Sequence, residues 1–189
     1  MKTLAILLLS GSLVSCGIQS IPSTKNDVEA GWAEVQNQYQ RRADLIGNLV
    51  ETVKGYAKHE KETLEGVINA RANATKTTLK VDQLTPETLK QYEKAQQGLT
   101  GALSKLMMVS ERYPDLKANQ NFRDLQAQLE GTENRITVAR QRYIQIVNAF
   151  NKLVTVPMTS WTNSLIYKFS KIPQFETAKA NEEAPKVQF

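Results

Sequence analysis

The stretch QRRADLIGNLVETVKGYAKHE, residues 40–60, decides the fold of this chain. Arg42, Ile46, Leu49, Val53 and Tyr56 follow one another at steps of four, three, four and three residues. A seam that repeats every 3.5 residues is typical of a helix packed lengthwise against other helices. The chemically conspicuous groups of this stretch, which are paired arginines and a histidine next to a glutamate, are therefore predicted to lie on a helix.

The same seam extends over the first half of the chain. Asn26, with Glu29 three positions later, predicts a capped helix start. Either one helix runs from about Asn26 to Lys80, about 80 Å at 1.5 Å per residue, or it bends near Gly55, because glycine costs about 1 kcal/mol relative to alanine inside a helix. The seam positions are Val28, Trp32, Val35, Tyr39, Arg42, Ile46, Leu49, Val53, Tyr56, Glu60, Thr63, Val67, Ala70 and Ala74.

Two further seams predict two more long helices. Thr85-Pro86 is a typical helix start, and Tyr113-Pro114 and Pro157 are typical stops. The second seam contains Leu89, Tyr92, Gln96, Leu99, Leu103 and Leu106, and the third contains Phe122, Leu125, Leu129, Thr132, Ile136, Ala139, Tyr143, Ile146, Phe150 and Leu153. Trp161, Leu165 and Phe169, at spacings of four, predict a short last helix.

Short connections place sequential helices antiparallel to each other. The predicted fold class is therefore all-α: an antiparallel bundle of three long helices plus one short C-terminal helix, or of four if the first helix bends near Gly55.

The N-terminus has the features of a secreted, lipid-anchored protein. A basic start is followed by LAILLLSGSLVS, residues 4–15, which is too short to span a hydrocarbon core of roughly 30 Å. The run ends in Leu13-Val14-Ser15-Cys16, which resembles the bacterial lipobox, and Cys16 is the only cysteine of the chain. We expect Cys16 to be diacylated and to become the new N-terminus; an ordinary signal peptide with an incidental thiol is the alternative.

These features predict four regions: a lipoprotein signal peptide, residues 1–15; the lipidated cysteine and a polar tether, residues 16–25; the helical bundle, residues 26–170; and an extended C-terminal tail, residues 171–189. The expected location is the bacterial cell envelope. Gly17 follows the cysteine, and by resemblance to Gram-negative lipoproteins the absence of an aspartate there implies the outer membrane, facing the periplasm. In a Gram-positive cell the same anchor would sit in the plasma membrane.

Composition narrows the classes of partner. Lys plus Arg exceeds Asp plus Glu by 24 to 19, a formal charge of +5, and Lys58, Lys61, Lys76 and Lys80 alternate with acids. Nucleic-acid binders cluster their basic residues on one face, so we expect no nucleic-acid partner. The expected partners are the membrane, through the N-terminal lipid, and an unidentified envelope protein or component; a homo-oligomer is a further alternative.

Catalytic and metal motifs do not fit the residues. His59-Glu60 begins like HExxH, but position 63 is Thr63, and His59 is the only histidine. Paired Glu-x-x-His sites and cysteine-based zinc sites need more ligands than the chain has. No nucleophile elbow or phosphate-binding loop is present. We therefore predict no catalytic residue, no metal site and no cofactor.

The polar members of the seams are interpreted as structural. Arg42 and Glu60 are 18 residues apart, about 27 Å along one helix, so each needs a partner on another helix. Glu133 and Arg135 on the third long helix are the expected counterparts. Polar residues at single core positions commonly fix helix register, which we favour over a polar binding groove.

Three segments resemble the LemA family: RRADLIGNLVETVKGYAKHE, YPDLKANQNFRDLQAQLEGTENRITVARQRY and the closing PKVQF. The resemblance extends from about Trp32 to Phe189. It implies an all-helical antiparallel bundle on the outer side of a bacterial membrane, and it carries no catalytic residue over to this chain. Gly47 stands where the family usually has proline, and the lipobox stands where the family more often has a transmembrane anchor.

Two functional hypotheses from different classes follow. The first is a non-catalytic, membrane-tethered helical module that binds or organises another envelope component. The second is an envelope hydrolase with an unrecognised site around His59. A concave pocket containing His59 would favour the hydrolase, and an exposed His59 on a convex bundle would favour the binding module.

Overall fold

The computed structural model describes residues 2–76 and 78–175, and the side chains of residues 19–76, 78–157 and 159–175. Within these ranges the chain forms helices and no strands. The helices are α1 (Lys2–Tyr56), α2 (Lys61–Lys76), α3 (Pro86–Ser110), α4 (Pro114–Ala118), α5 (Gln120–Thr155) and α6 (Pro157–Thr162), with a 3₁₀ turn (Val81–Gln83) before α3 and a π-helical turn (Asn163–Tyr167) after α6. The predicted all-α bundle is confirmed.

The four long helices run alternately up and down. The Arg71 Nε donates to the Ala43 carbonyl oxygen at 2.7 Å, which fixes α2 as the return arm of a hairpin with α1. Helix α3 again runs parallel to α1. Helix α5 runs antiparallel to α1, because Arg42 contacts Glu133 while residue 31, earlier on α1, faces residue 146, later on α5. Helix α1 packs most extensively against α5, and α2 against α3.

The first seam is broken by a turn at residues 57–60, so the single helix to Lys80 is wrong and the bend near Gly55 is the alternative that the structure adopts. A Cβ added to Gly55 would meet nothing within 4 Å, so steric need does not explain this glycine. Gly55 lies in the last turn of α1, where the low helix propensity of glycine favours an end to the helix. Ala57, fully buried in the turn, anchors the hairpin end in the core.

The predicted helix start at Asn26 is also wrong, because α1 is already helical when it reaches that residue. Ile21 is fully buried, and the Lys25 Nζ lies 2.7 Å from the Asp82 carboxylate and 2.9 Å from that of Glu29. These contacts give residues 21–25 a packing role that a polar tether would lack.

At the other end, the compact part extends beyond residue 170. The backbone N–H and carbonyl of Ile172 both bond the Asn151 side-chain amide at 2.9 Å, and Phe175 packs against Trp32 with ring centroids 5.9 Å apart. Residues 168–175 therefore form a strap along α5. The rest of the predicted tail, residues 176–189, lies outside the described residues.

The short last helix is only partly as predicted. Helix α6 and the π-helical turn occupy residues 157–167, after which Lys168 adopts a left-handed conformation with φ 56°. Of the three residues at spacings of four, only Phe169 packs on the core; Trp161 and Leu165 are 69% and 80% exposed.

The core has two parts. An aromatic part, rich in Trp32, Tyr92, Tyr143 and Phe150, fills the end where α1 enters and α5 leaves. An aliphatic part, centred on residues such as Leu49, fills the hairpin end. A layer of buried polar side chains lies between the two parts, and it contains Arg42, Gln96 and Thr132.

Candidate functional site

The polar layer is centred on Arg42, whose side chain is 3% exposed. Its Nη1 donates to the Glu133 Oε1 at 2.8 Å, and its Nη2 donates to the Gln96 carbonyl oxygen at 3.0 Å. The guanidinium also lies over the Tyr39 ring, 5.4 Å from the centroid. A buried guanidinium is expensive unless it is paired and hydrogen-bonded. Glu133 and the Gln96 carbonyl supply that pairing.

Gln96 extends the layer to the second helix. Its Oε1 accepts from the Arg42 Nη2 at 3.3 Å, while its Nε2 donates to the Ala74 carbonyl oxygen at 3.1 Å. One connected set of hydrogen bonds therefore joins α1, α2, α3 and α5 at a single level of the bundle. Gln96 and Thr132 occupy predicted seam positions, and their polarity at those positions is the sequence signal that could have identified them as members of the layer.

A small cleft of about 160 Å³ opens beside this layer, between α3 and α5. A second ion pair borders it, in which the Arg140 Nη2 lies 2.7 Å from the Glu93 Oε1. The hydroxyls of Thr100 and Thr137, which also line the cleft, donate to the carbonyl oxygens of the residues four positions earlier. The charged and hydroxyl groups of the cleft thus bond one another or the backbone, apart from the buried Arg42 Nε, which has no hydrogen-bond partner in the described structure. This is the arrangement of a structural cluster.

Burial dominates the ionisation of the nearby tyrosines. Desolvation raises the pKa of Tyr39 above its usual value, and the neighbouring Arg140 and Arg42 offset only part of that effect. Desolvation also raises the pKa values of Tyr92 and Tyr143 strongly. All three phenols are therefore neutral at physiological pH, so they contribute packing and ring contacts to the core.

Glu60 lies apart from this layer, at the hairpin end of the bundle. Its carboxylate accepts from the Arg112 Nη2 at 3.0 Å and from the Tyr113 hydroxyl at 3.1 Å. Burial, together with the hydrogen bond to Glu60, raises the pKa of Tyr113. His59 is exposed in the turn between α1 and α2. The partner of Glu60 thus comes from the segment after α3, a placement that the sequence did not indicate.

Arg135 is exposed on α5 and does not join the polar layer. It lines a long groove of about 980 Å³ between α1 and α5, where Arg142 stands on the same side and Asp27 and Glu34 stand on the α1 side. The two helices approach each other closely at Gly31, where an added Cβ would lie 3.2 Å from the Ile146 Cδ1. Of the four predicted polar residues, Arg42 and Glu133 contact each other in the polar layer. Glu60 and Arg135 lie elsewhere, at the hairpin end and in the groove.

Three further observations bear on function. Among the described residues, no three His, Cys, Asp or Glu side chains converge in a way that could hold a metal ion. No helix in that part of the chain has both the length and the hydropathy needed to cross a bilayer. The predicted lipidation site, Cys16, lies in α1, but its side chain is outside the described ones.

The fold and this layer define the class of protein: an all-helical, up-and-down four-helix bundle whose core is divided by one buried arginine cluster. Residues 31–189 match the model of the LemA family, and the chain belongs to that family. Over 144 residues it is 26% identical to Protein LemA of Metamycoplasma hominis. That alignment covers 76% of this chain and 61% of the relative, so the chain spans less than two thirds of the relative's length.

Proposed function

We propose that this chain is a non-catalytic, lipid-anchored envelope lipoprotein whose bundle binds another envelope component along the groove between α1 and α5. The groove is the observation that carries the proposal. Arg135 and Arg142 have no ion-pair partner within the described residues, and the Val138 side chain between them is 63% exposed. Arginines around exposed apolar surface are typical of protein interfaces.

The charges of the groove suggest the chemistry of its ligand. Two guanidiniums stand on α5, and the carboxylates of Asp27 and Glu34 stand on α1, on the opposite side. A partner helix laid between them would meet cations on one flank and anions on the other, with apolar contact at Val138. A helix with acidic and basic flanks fits this pattern, since complementary charge fixes the orientation of a partner.

The lipid anchor is the second element of the proposal, and its support is the single Cys16 at the end of a short apolar run. Helix α1 is continuous past this position. Ile21, the first fully buried side chain among those described, lies five residues further on, or about 7.5 Å along the helix axis. An acyl anchor on Cys16 would therefore hold the bundle close to the bilayer.

Site-specific photocrosslinking tests the groove. A photoreactive residue at Val138, 63% exposed, should form one discrete crosslinked species in native membranes. The matched control is Met108, which is 65% exposed on α3 and outside the groove; it should not form that species. Identical crosslinks from both positions, or none from Val138, would contradict binding in the groove.

The anchor is tested by Cys16→Ser. We expect the mature N-terminal peptide of the wild-type protein to carry the acyl mass on Cys16, and we expect the variant to lose processing at that position. A wild-type peptide that begins with unmodified Cys16, or at another residue while the protein stays in the membrane, would refute the anchor.

The hydrolase alternative depends on His59, which is exposed in a turn. His59→Ala should leave the function of the intact protein unchanged, because no hydrogen bond from the described residues positions the exposed imidazole to act as a base. Loss of function in a variant that stays folded and membrane-bound would favour the hydrolase.

A further inference from the structure

The C-terminal end of the bundle carries an exposed apolar cap. The cap consists of α6 and the π-helical turn, residues 157–167. Within it, Trp161 is 69% exposed, Leu165 is 80% exposed and Ile166 is 55% exposed. Most exposed hydrophobic side chains on a soluble domain are scattered singly, whereas a cluster of large ones marks a surface that something covers.

The cap is held in a defined shape. Asn163 is buried, and its side-chain amide bonds both the carbonyl oxygen and the N–H of Phe169, at 2.9 and 3.0 Å. Lys168, in the left-handed conformation, then reverses the chain so that Phe169 packs on the core. The turn therefore projects Leu165 and Ile166 outward from a fixed base.

The cap lies at the end of the bundle where the packed part of α1 begins. Helices α1 and α5 are antiparallel, so the end of α5 meets the start of the packed part of α1. Helix α6 contacts α1 directly, and the Lys25 Nζ lies 5.9 Å from the centroid of the Phe169 ring. Cys16 precedes Ile21 by about 7.5 Å along this same end of α1.

The charge around the cap has one sign within its own segment. Between Glu133 and Glu176 the chain contains no carboxylate side chain. Lys152, Lys168 and Lys171 flank the cap; they are exposed, and none has an ion-pair partner among the described residues. Asp82 and Glu29 both form ion pairs with Lys25 at this end of the bundle. Lysines beside large apolar groups are complementary to a bilayer that contains anionic lipid.

We propose that this cap rests on the surface of the lipid bilayer that holds the anchor, with Trp161, Leu165 and Ile166 at the boundary between headgroups and acyl chains. Tryptophan favours that boundary because its ring is apolar and its N–H is polar. The inference rests on the proposed acylation of Cys16, which decides that this end of the bundle faces the membrane. Two contacts, the lipid and the cap, then fix how the bundle stands on the bilayer.

The two tryptophans provide the test. Trp32 is 2% exposed in the core and Trp161 is 69% exposed on the cap. The acylated full-length protein is reconstituted in phosphatidylglycerol-containing vesicles whose acyl chains are brominated, and fluorescence quenching is measured. We expect Trp161 to lose most of its emission, and we expect Trp161→Phe, which keeps only Trp32, to show no quenching.

A relocated reporter is the matched control. In Trp161→Phe combined with Met108→Trp, the new tryptophan lies near the end of α3, at the hairpin end of the bundle. That end is up to about 60 Å from Cys16, at 1.5 Å per residue along α1. No quenching there, together with quenching of Trp161, supports the cap contact. Equal quenching at both positions, or none at Trp161, overturns it.

The mass of the N-terminal peptide separates this inference from the proposed anchor. If Cys16 is acylated and Trp161 is not quenched, the cap contact is wrong and the anchor stands. If Cys16 carries no lipid, the anchor is wrong. The unacylated chain is then added to the same vesicles, where quenching of Trp161 still supports the cap contact and its absence overturns it.

Discussion

Glu133→Ala isolates the electrostatic part of the polar layer, because it removes the carboxylate partner of Arg42 and leaves the guanidinium in place. Arg42 is 3% exposed and Glu133 is 48% exposed. Breaking a fully buried pair costs about 3–5 kcal/mol, and an exposed pair is worth about 0–1 kcal/mol. Arg42 keeps its bond to the Gln96 carbonyl oxygen, and water can reach it where Glu133 stood. We therefore expect a loss of about 2 kcal/mol in the free energy of unfolding.

The assay is denaturant unfolding followed by circular dichroism, with thermal unfolding as a second measure. A loss of about 2 kcal/mol corresponds to a fall of roughly 4–8 °C in Tm for a chain of this size. The matched control is Glu130→Ala, which removes an exposed carboxylate one turn earlier on α5. It should change stability by no more than about 0.5 kcal/mol.

A double-mutant cycle then decides whether the loss belongs to the pair. Arg42→Met removes the charge and keeps a side chain of similar length. In that background, Glu133→Ala should cost no more than Glu130→Ala, which gives a coupling of about 2 kcal/mol. If Glu133→Ala and Glu130→Ala behave alike in the wild-type background, Glu133 does not stabilise the layer, and the claim that the buried Arg42 needs this carboxylate is refuted.

Two further predictions concern alkaline pH and the strap. Burial raises the pKa values of Tyr39, Tyr92 and Tyr143 in the folded state above the ordinary value of 10.0. A phenol with such a raised pKa contributes its full stabilisation below its unfolded pKa, and this contribution is lost as the pH rises. We therefore expect the free energy of unfolding to fall above pH 10.0, with tyrosinate absorbance and loss of helix appearing together. Tyrosinate formation by these phenols in a fully helical protein would contradict it. Asn151→Ala removes both bonds to Ile172 and should cost about 1–3 kcal/mol, with faster tryptic cleavage after Lys171. Asn148→Ala, at an exposed position on the same helix, should leave cleavage unchanged, and equal rates in the two variants would show that the amide does not hold the strap.

The helices could be predicted from the sequence because burial follows the seams closely. Val53, Leu99 and Tyr143, one from each predicted seam, are all fully buried. The hairpin turn was harder to place, because a break of about one helical turn at residues 57–60 preserves the alternation of four and three. Beyond it the buried residues are Leu64, Val67 and Ala74, and Leu64 did not belong to the predicted seam.

The candidate site was predictable to a lesser degree. A buried arginine needs a carboxylate, and the antiparallel arrangement put Glu133 within reach. The partners of Glu60 lie just before the short helix α4. The spacing of apolar residues in the sequence does not predict where that helix begins. Trp161 and Phe169 shared one spacing pattern in the sequence, yet they have opposite environments, because the left-handed Lys168 redirects the chain between them.

Phe175 has a consequence for the timing of folding. It packs against Trp32 and Tyr143, and the Arg140 guanidinium lies 4.2 Å from the centroid of its ring. The aromatic part of the core thus joins Trp32, near the start of the described side chains, to the last residue that the structure describes. Contacts between such distant positions form slowly, since a long loop must close first. During synthesis, Trp32 stays without this aromatic neighbour until residue 175 has emerged, so the aromatic part of the core cannot be completed before that point.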